Sequence, residues 1–226
     1  MKRSSILIAG ASRGIGREFV QQFLAAGWQV HATARNAADV AALSQAGAIS
    51  YALDITSDAS IAALADKLDG IALDAVIANA GISGDLELPI AAVAAGEMEL
   101  VFDTNLFGVL LLVRALKTSL MAGERRLAMA MSSLMSSISA NDWGTQYCYR
   151  ASKTALNAAW RSLADEWRPD GIGCVLLRPG FVKTDMTGHR GMEVEVSVAG
   201  MIEVVGTLTL ADSGRVIGYD GLDVPW

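Results

Sequence analysis

Two side chains in this sequence are spaced for proton chemistry. Tyr149 and Lys153 stand four residues apart in the run Tyr-Arg-Ala-Ser-Lys, and residues four apart in a helix share a face. A phenol titrates near about 10 when nothing perturbs it. A cation beside it favours the phenolate and lowers that value. A tyrosine tuned in this way gives or takes a proton near neutral pH. Tyr147 has Ala151 where the cation would stand, so it lacks the partner. Taken alone, the pair is also what any amphipathic surface helix carries, and its position in the fold has to decide.

A second constellation is Gly10, Gly14 and Gly16 in Gly-Ala-Ser-Arg-Gly-Ile-Gly. Glycines let a chain turn sharply and lie close to a phosphate. The apolar run Ile6 to Ala9 precedes them and reads as a buried strand. The segment after them places Phe19, Val20, Phe23 and Leu24 on one helical face. Strand, glycine turn and helix in that order aim free N–H groups and the helix dipole at whatever sits in the turn, which favours an anion. The alternative, an ordinary tight turn between strand and helix, rarely needs three glycines.

The rest of the chain repeats that rhythm. Strands are expected at Gln29 to Ala34, Ile49 to Leu53, Leu73 to Ala78, Arg125 to Met131, Gly173 to Arg178 and Arg215 to Tyr219, seven with the first. Helical patterns separate them, with Gly27, Gly47 and Gly70 as stops and Ser57 or Asp58 as a cap. A long helix is expected from about Glu97 to Met121, with Asn105 in its middle, where asparagine is a poor helix former. Another is expected from near Gln146, carrying Tyr149 and Lys153. Thr184 to Met192 reads as a mobile loop, and Glu193 to Leu210 as mainly helical. Strands alternating with helices imply βαβ units and a parallel sheet. In such a sheet ligands bind beyond the carboxyl ends of the strands. Gly10, Arg35, Asp54, Asn79 and Ser133 all fall there. A hydroxyl such as that of Ser133 could donate to a substrate carbonyl as charge develops on its oxygen, although any serine of 132–139 also suits a turn.

Composition narrows the classes. At 226 residues and 52% hydrophobic, the chain suits a single domain, 1–226, with a large core. A net charge of −6 argues against nucleic acid as a partner. No run reaches the ~18 apolar residues of a membrane span, since Leu106 to Val113 stops at Arg114. Lys2-Arg3 before the first apolar run resembles the start of a leader, but that run is short and feeds straight into the glycine turn. Cys148 and Cys174 form no disulfide framework and show no metal-ligand spacing. The expectation is a cytoplasmic protein with no metal and no membrane partner.

The joint set of Gly10 to Gly16, Asn79-Ala80-Gly81, Asn105, Ser132-Ser133, Tyr149 to Lys153 and Arg178 to Met186 resembles the short-chain dehydrogenase/reductase family, classical type. Asn141 to Lys153 and the ending Asp220 to Trp226 further resemble its small NADPH-dependent carbonyl reductases, including the C-factor-like group. The resemblance implies a doubly wound, Rossmann-type parallel sheet of about seven strands with helices on both faces. It implies Tyr149 as catalytic acid/base, Lys153 as its tuning cation and a holder of the nicotinamide ribose, Ser133 orienting a carbonyl and Asn105 holding a relay water. For the cofactor it implies Gly10, Ser12, Arg13, Gly14, Ile15 and Gly16 around the pyrophosphate, and Asp54 and Ile55 toward the adenine. Asn79, Ala80 and Gly81 would lie beside the ribose, and Pro179, Gly180, Val182 and Thr184 near the nicotinamide. A small carbonyl or alcohol substrate and a homodimer or homotetramer follow from the same resemblance. Met135, Trp143, Met186 and His189 could line an apolar substrate pocket, or simply pack.

Two departures bear on the site. Ala9 stands where many members have threonine. The catalytic serine often precedes the tyrosine by thirteen residues, which selects Ser136, whereas Ser133 precedes it by sixteen; Ser133 is preferred because it ends the strand. The cofactor expected is NADP(H) rather than NAD(H). An NAD site of this kind wants an acid ~20 residues past the glycine turn, and the sequence there is Ala34-Arg35-Asn36. Arg35 and Arg13 would instead pair with a 2′-phosphate. The missing acid also disfavours a methyltransferase. A non-catalytic NADP(H)-binding sensor or signalling protein on the same fold is the competing reading.

Overall fold

The computed structural model describes residues 3–226. Lys2, weighed above as part of a leader, lies outside them. Seven strands form one parallel sheet in the order β3-β2-β1-β4-β5-β6-β7. They are β1 (Ser5–Ala9), β2 (Gln29–Ala34), β3 (Ile49–Ala52), β4 (Ala75–Ala78), β5 (Leu127–Met131), β6 (Gly173–Arg178) and β7 (Val216–Gly218). All pairings are parallel, Ile6 against Val30 on one side of β1 and against Ala75 on the other. Every residue of β1, β4 and β5 is buried, which explains why these strands read as apolar runs rather than as alternating patterns.

Helices cover both faces. Phe19, Val20 and Phe23 of α1 (Gly14–Ala25), Leu43 of α2 (Ala37–Gln45), and Val198, Met201 and Val205 of α8 (Val194–Thr207) pack on one core. The other core takes Ile61 and Leu64 of α3 (Asp58–Lys67), Val109, Leu112 and Val113 of α5 (Gly108–Ala115), Leu120 of α6 (Lys117–Ala122), and Leu156, Trp160 and Trp167 of α7 (Tyr147–Trp167). Caps fall where the side chains predict them. Asn36 accepts from the Asp39 N–H at 2.8 Å and Ser57 from the Ser60 N–H. Chain order runs outward from β1 to β3, then crosses back to β4. The point of reversal lies between β1 and β4, where the crevice of a doubly wound sheet opens.

Two expectations need correction. The long helix over Glu97 to Met121 is broken. It consists of α4 (Ala95–Phe102), a π-helical turn over Asp103–Phe107, then α5 and α6. Asn105 sits inside the π turn, and its side chain bonds outside the helix, which accounts for its cost as a helix former. The segment 184–192, expected as a mobile loop, is tied together. Thr184 and Thr187 form a capping box around a short 3₁₀ turn. The Lys183 N–H donates to the Met192 carbonyl at 2.9 Å, and the Met192 N–H to that of Phe181 at 2.9 Å. Glycines at 188 and 191, which suggested mobility, instead supply the positive φ values that let the segment double back.

Candidate active site

The glycine turn is built for close approach. Gly10 has φ +81°, and a Cβ there would lie 2.7 Å from the Ala80 Cα. A Cβ on Gly16 would meet the Gly10 carbonyl oxygen at 2.1 Å and the Asn79 amide at 2.5 Å. Asn79 donates to that same Gly10 carbonyl at 2.7 Å, and the Ala80 N–H to Ala9 at 2.9 Å, so the ends of β1 and β4 are fastened together. Arg13 precedes α1 in extended backbone with no side-chain cap on the helix, leaving the first-turn N–H groups for an anion. Ser12 and Ile15 are half-buried in the same turn.

The groups assigned to the two ends of a dinucleotide lie along the carboxyl edge of the sheet. Arg35 follows β2 and is exposed. Asp54, after β3, accepts from the Thr56 N–H at 3.0 Å and its hydroxyl at 2.7 Å. These bonds, with the Arg35 charge a minor cause, hold its carboxyl below the usual carboxylate range. Ile55 is buried in the core. Beyond β6, Gly180 has φ +84°, the Pro179 carbonyl accepts from Ser197 at 2.6 Å, and Val182 is buried. A Cβ on Gly14 would lie 3.3 Å from the Thr184 methyl, so the glycine turn and the segment after β6 face each other closely. Arg13 crosses that gap to Asp185 at 2.9 Å, and His189 lies 3.4 Å from the same carboxylate.

Ser133, Tyr149, Lys153 and Asn105 converge between β5, α7 and the π turn. Lys153 is buried and donates to the Met131 carbonyl at 2.8 Å. Burial pulls its ammonium down to about 8. Its nitrogen is 5.8 Å from the centre of the Tyr149 ring. The sequence reading expects this cation to hold the phenol low. In the structure burial pushes Tyr149 up, and the Ser133 hydroxyl is the group pulling the other way. Asn105 donates to the Ile82 carbonyl at 2.8 Å and to the Ser152 hydroxyl at 3.0 Å, and accepts from the Ile82 N–H at 2.9 Å. It thus pins the segment after β4 to α7. Gly81 lies against both Asn105 and Lys153, since a Cβ on it would lie 3.2 Å from the Asn105 Oδ1 and 3.5 Å from the Lys153 Nζ.

The two candidate serines differ. Ser136 is buried; it donates to the Ser133 carbonyl at 2.6 Å and accepts from Asn157 at 2.8 Å and from Ser132 at 3.2 Å. Ser133 is half-buried, accepts from the Met135 N–H at 3.1 Å, and turns its hydroxyl toward the Tyr149 phenol, whose pKa it lowers. Sequence reasoning misses the polar groups buried behind this site: Ser152, Asn157 and Arg150. Their one signal is that they follow Tyr149 at helical spacing on the covered face.

A parallel doubly wound sheet with a glycine turn at its point of reversal, and a serine, tyrosine and lysine gathered beyond β5, frames a nucleotide-dependent oxidoreductase. The chain belongs to the short-chain dehydrogenase family, whose model matches residues 4–195. It is 40% identical to the C-signal of Myxococcus xanthus over 155 residues, 68% of this chain and 93% of that protein. Two solved structures superpose over all of both chains. An NADPH-bound carbonyl reductase from chicken fatty liver has a TM-score of 0.91 at 33% identity. A short-chain dehydrogenase/reductase from Burkholderia multivorans with bound NADP has 0.88 at 32%.

Proposed function

We propose that the protein is an NADP(H)-dependent reductase that converts a small carbonyl compound to its alcohol, with Tyr149 as the proton donor. The convergence of Tyr149, Ser133 and Lys153 beyond β5 carries this reading. The residues present fit the cofactor: Gly10 and Gly16, where a Cβ would collide, uncapped N–H groups at the start of α1, Arg35 after β2 with no acid at positions 34–36, and an exposed Arg13 that exchanges Asp185 for the 2′-phosphate. When bound, NADPH supplies the hydride that reduces the carbonyl carbon. Ser133, beside Tyr149, donates its hydroxyl proton in a hydrogen bond to the carbonyl oxygen. Tyr149 transfers its phenolic proton to the same oxygen, completing the alcohol. The Lys153 ammonium offsets the phenolate left behind. Asn105 keeps one lone pair of its amide oxygen beside Lys153 for a relay water that returns a proton to Tyr149. The high phenol and the low ammonium suit this direction of transfer, because the donor stays protonated and the lysine can pass its proton on near neutral pH.

Met98 and Phe102 of α4, with the exposed Phe107, line an apolar groove that supports self-association into a dimer or tetramer. Among the described residues no helix is long and apolar enough to cross a membrane, and Cys148 and Cys174 are unpaired; a cytoplasmic setting is part of the proposal. The likeness to the C-signal favours one second reading, a signalling or sensing protein that binds NADP(H) without turning it over. Consumption of NADPH against a panel of aldehydes, ketones and quinones separates the two. Substrate-dependent consumption is expected; tight NADPH binding with no consumption on any of them would favour the second.

A further inference from the structure

Arg150 follows the proposed acid/base directly, yet it is buried, 7% exposed. A guanidinium taken out of water is costly unless its donors are met. Here Nη1 donates to the Met135 carbonyl at 3.4 Å, while Nε and Nη2 have no partner among the described residues. The Trp143 ring lies 4.3 Å from the guanidinium and closes it off from above. Burial accordingly lowers the hold of Arg150 on its proton, with Asp142 the only charge acting against that. A core position that sought stability alone would be filled better by an apolar side chain, so a buried group left partly unmet calls for another explanation.

The bonding pattern around Met135 supplies one. Its carbonyl accepts from Arg150 and its N–H donates to the Ser133 hydroxyl at 3.1 Å. The 3₁₀ turn over Leu134–Ser136 therefore hangs between the two side chains. On its other side the turn is held by Ser136 and by Thr154, whose hydroxyl donates to the Ser136 carbonyl at 2.9 Å. We propose that Arg150 is a positioning residue: through the main chain of Met135 it fixes the rotamer of Ser133 and so aims the Ser133 proton at the carbonyl of the substrate. Trp143 keeps the guanidinium dry and in plane. Arg150 itself touches no reacting atom. This inference rests on the reading of Ser133 as the carbonyl-orienting hydroxyl.

The test is a double-mutant cycle between Arg150→Met and Ser133→Ala, read by steady-state kinetics and hydrogen exchange. Arg150→Met should lower kcat about 10-fold, within the ~100-fold reach of an ångström of misplacement, while KM for NADPH stays within two-fold. Arg150→Lys keeps the charge and one donor and should recover part of the loss. In the Ser133→Ala background, Arg150→Met should cost nothing further, because the group it positions is gone. Hydrogen exchange should quicken over residues 134–140 and nowhere else. Multiplicative losses in the double variant would overturn the proposal, as would a rise in KM for NADPH equal to the fall in kcat. If Arg150→Met fails to fold, the same cycle with Arg150→Lys decides between additive and absorbed losses. A wild-type kcat in Ser133→Ala alone would refute the role of Ser133, a result distinct from additivity.

Discussion

The proton of Ser136 is given to the Ser133 carbonyl, inside the turn; the Ser133 hydroxyl faces Tyr149. This difference predicts opposite outcomes for two small substitutions. Ser133→Ala should lower kcat roughly 100-fold or more, the scale of one lost oxyanion donor, and leave thermal stability nearly unchanged. Ser136→Ala should spare most of kcat and destabilise the fold, since it leaves the Asn157 amide N–H without its buried acceptor, at ~1–3 kcal/mol. Steady-state rates and melting curves of the two variants check both halves. Lys153 sets the pH dependence. Its ammonium titrates at about 8, whereas burial keeps the Tyr149 phenol protonated beyond its ordinary range. The kcat/KM for carbonyl reduction should therefore be level on the acid side and fall as pH rises through about 8; a level profile across that range would contradict the assignment. Tyr149, Lys153 and Ser133 were legible in the sequence because helical spacing and a strand end locate them. Arg150, Ser152 and Asn157 were not, because a polar residue on a helix reads as surface until the covering loop is known.

At the scale of elements, the site is a set of strand ends. Gly10, Arg35, Asp54, Asn79, Ser133 and Pro179 follow β1 to β6 in order along the carboxyl edge. Strand existence could be read from apolar runs and glycine stops, and each boundary moved by no more than two residues. The π turn could not be read, since its cause is the pull of Ile82 and Ser152 on Asn105, partners remote in sequence. The order of segment 184–192 was hidden for the same reason. Cofactor choice belongs to the end of β2. Arg35 is exposed there beside the α2 cap, and none of Ala34, Arg35 and Asn36 is acidic. Arg35→Asp should weaken NADPH by roughly 10- to 150-fold, the yield of one charged hydrogen bond, and improve NADH. Titrating both cofactors into the wild type and the variant tests this. Equal affinities of the wild type for the two would show that neither Arg35 nor Arg13 reads the phosphate.

The whole molecule is two apolar cores divided by one sheet, and a histidine is caught inside it. His31 of β2 is buried, its Nδ1 2.9 Å from the Tyr51 hydroxyl, and its Nε2 has no partner among the described residues. Burial lowers its affinity for a proton below the ordinary 6.5. The unfolded chain then binds more protons than the folded one between those two values, so stability falls as pH drops through 6.5 toward the lowered value. Melting temperatures taken above and below 6.5 should show this loss, and His31→Phe should remove most of it. The central claim is that this molecule is an enzyme and not only a holder of NADP(H). The most direct measurement sets wild type beside Tyr149→Phe, with NADPH consumption and NADPH binding followed on the same preparations. The account predicts turnover by the wild type, none by the variant, and NADPH affinities within a few-fold of each other. Turnover by Tyr149→Phe at a substantial fraction of the wild-type rate would contradict it.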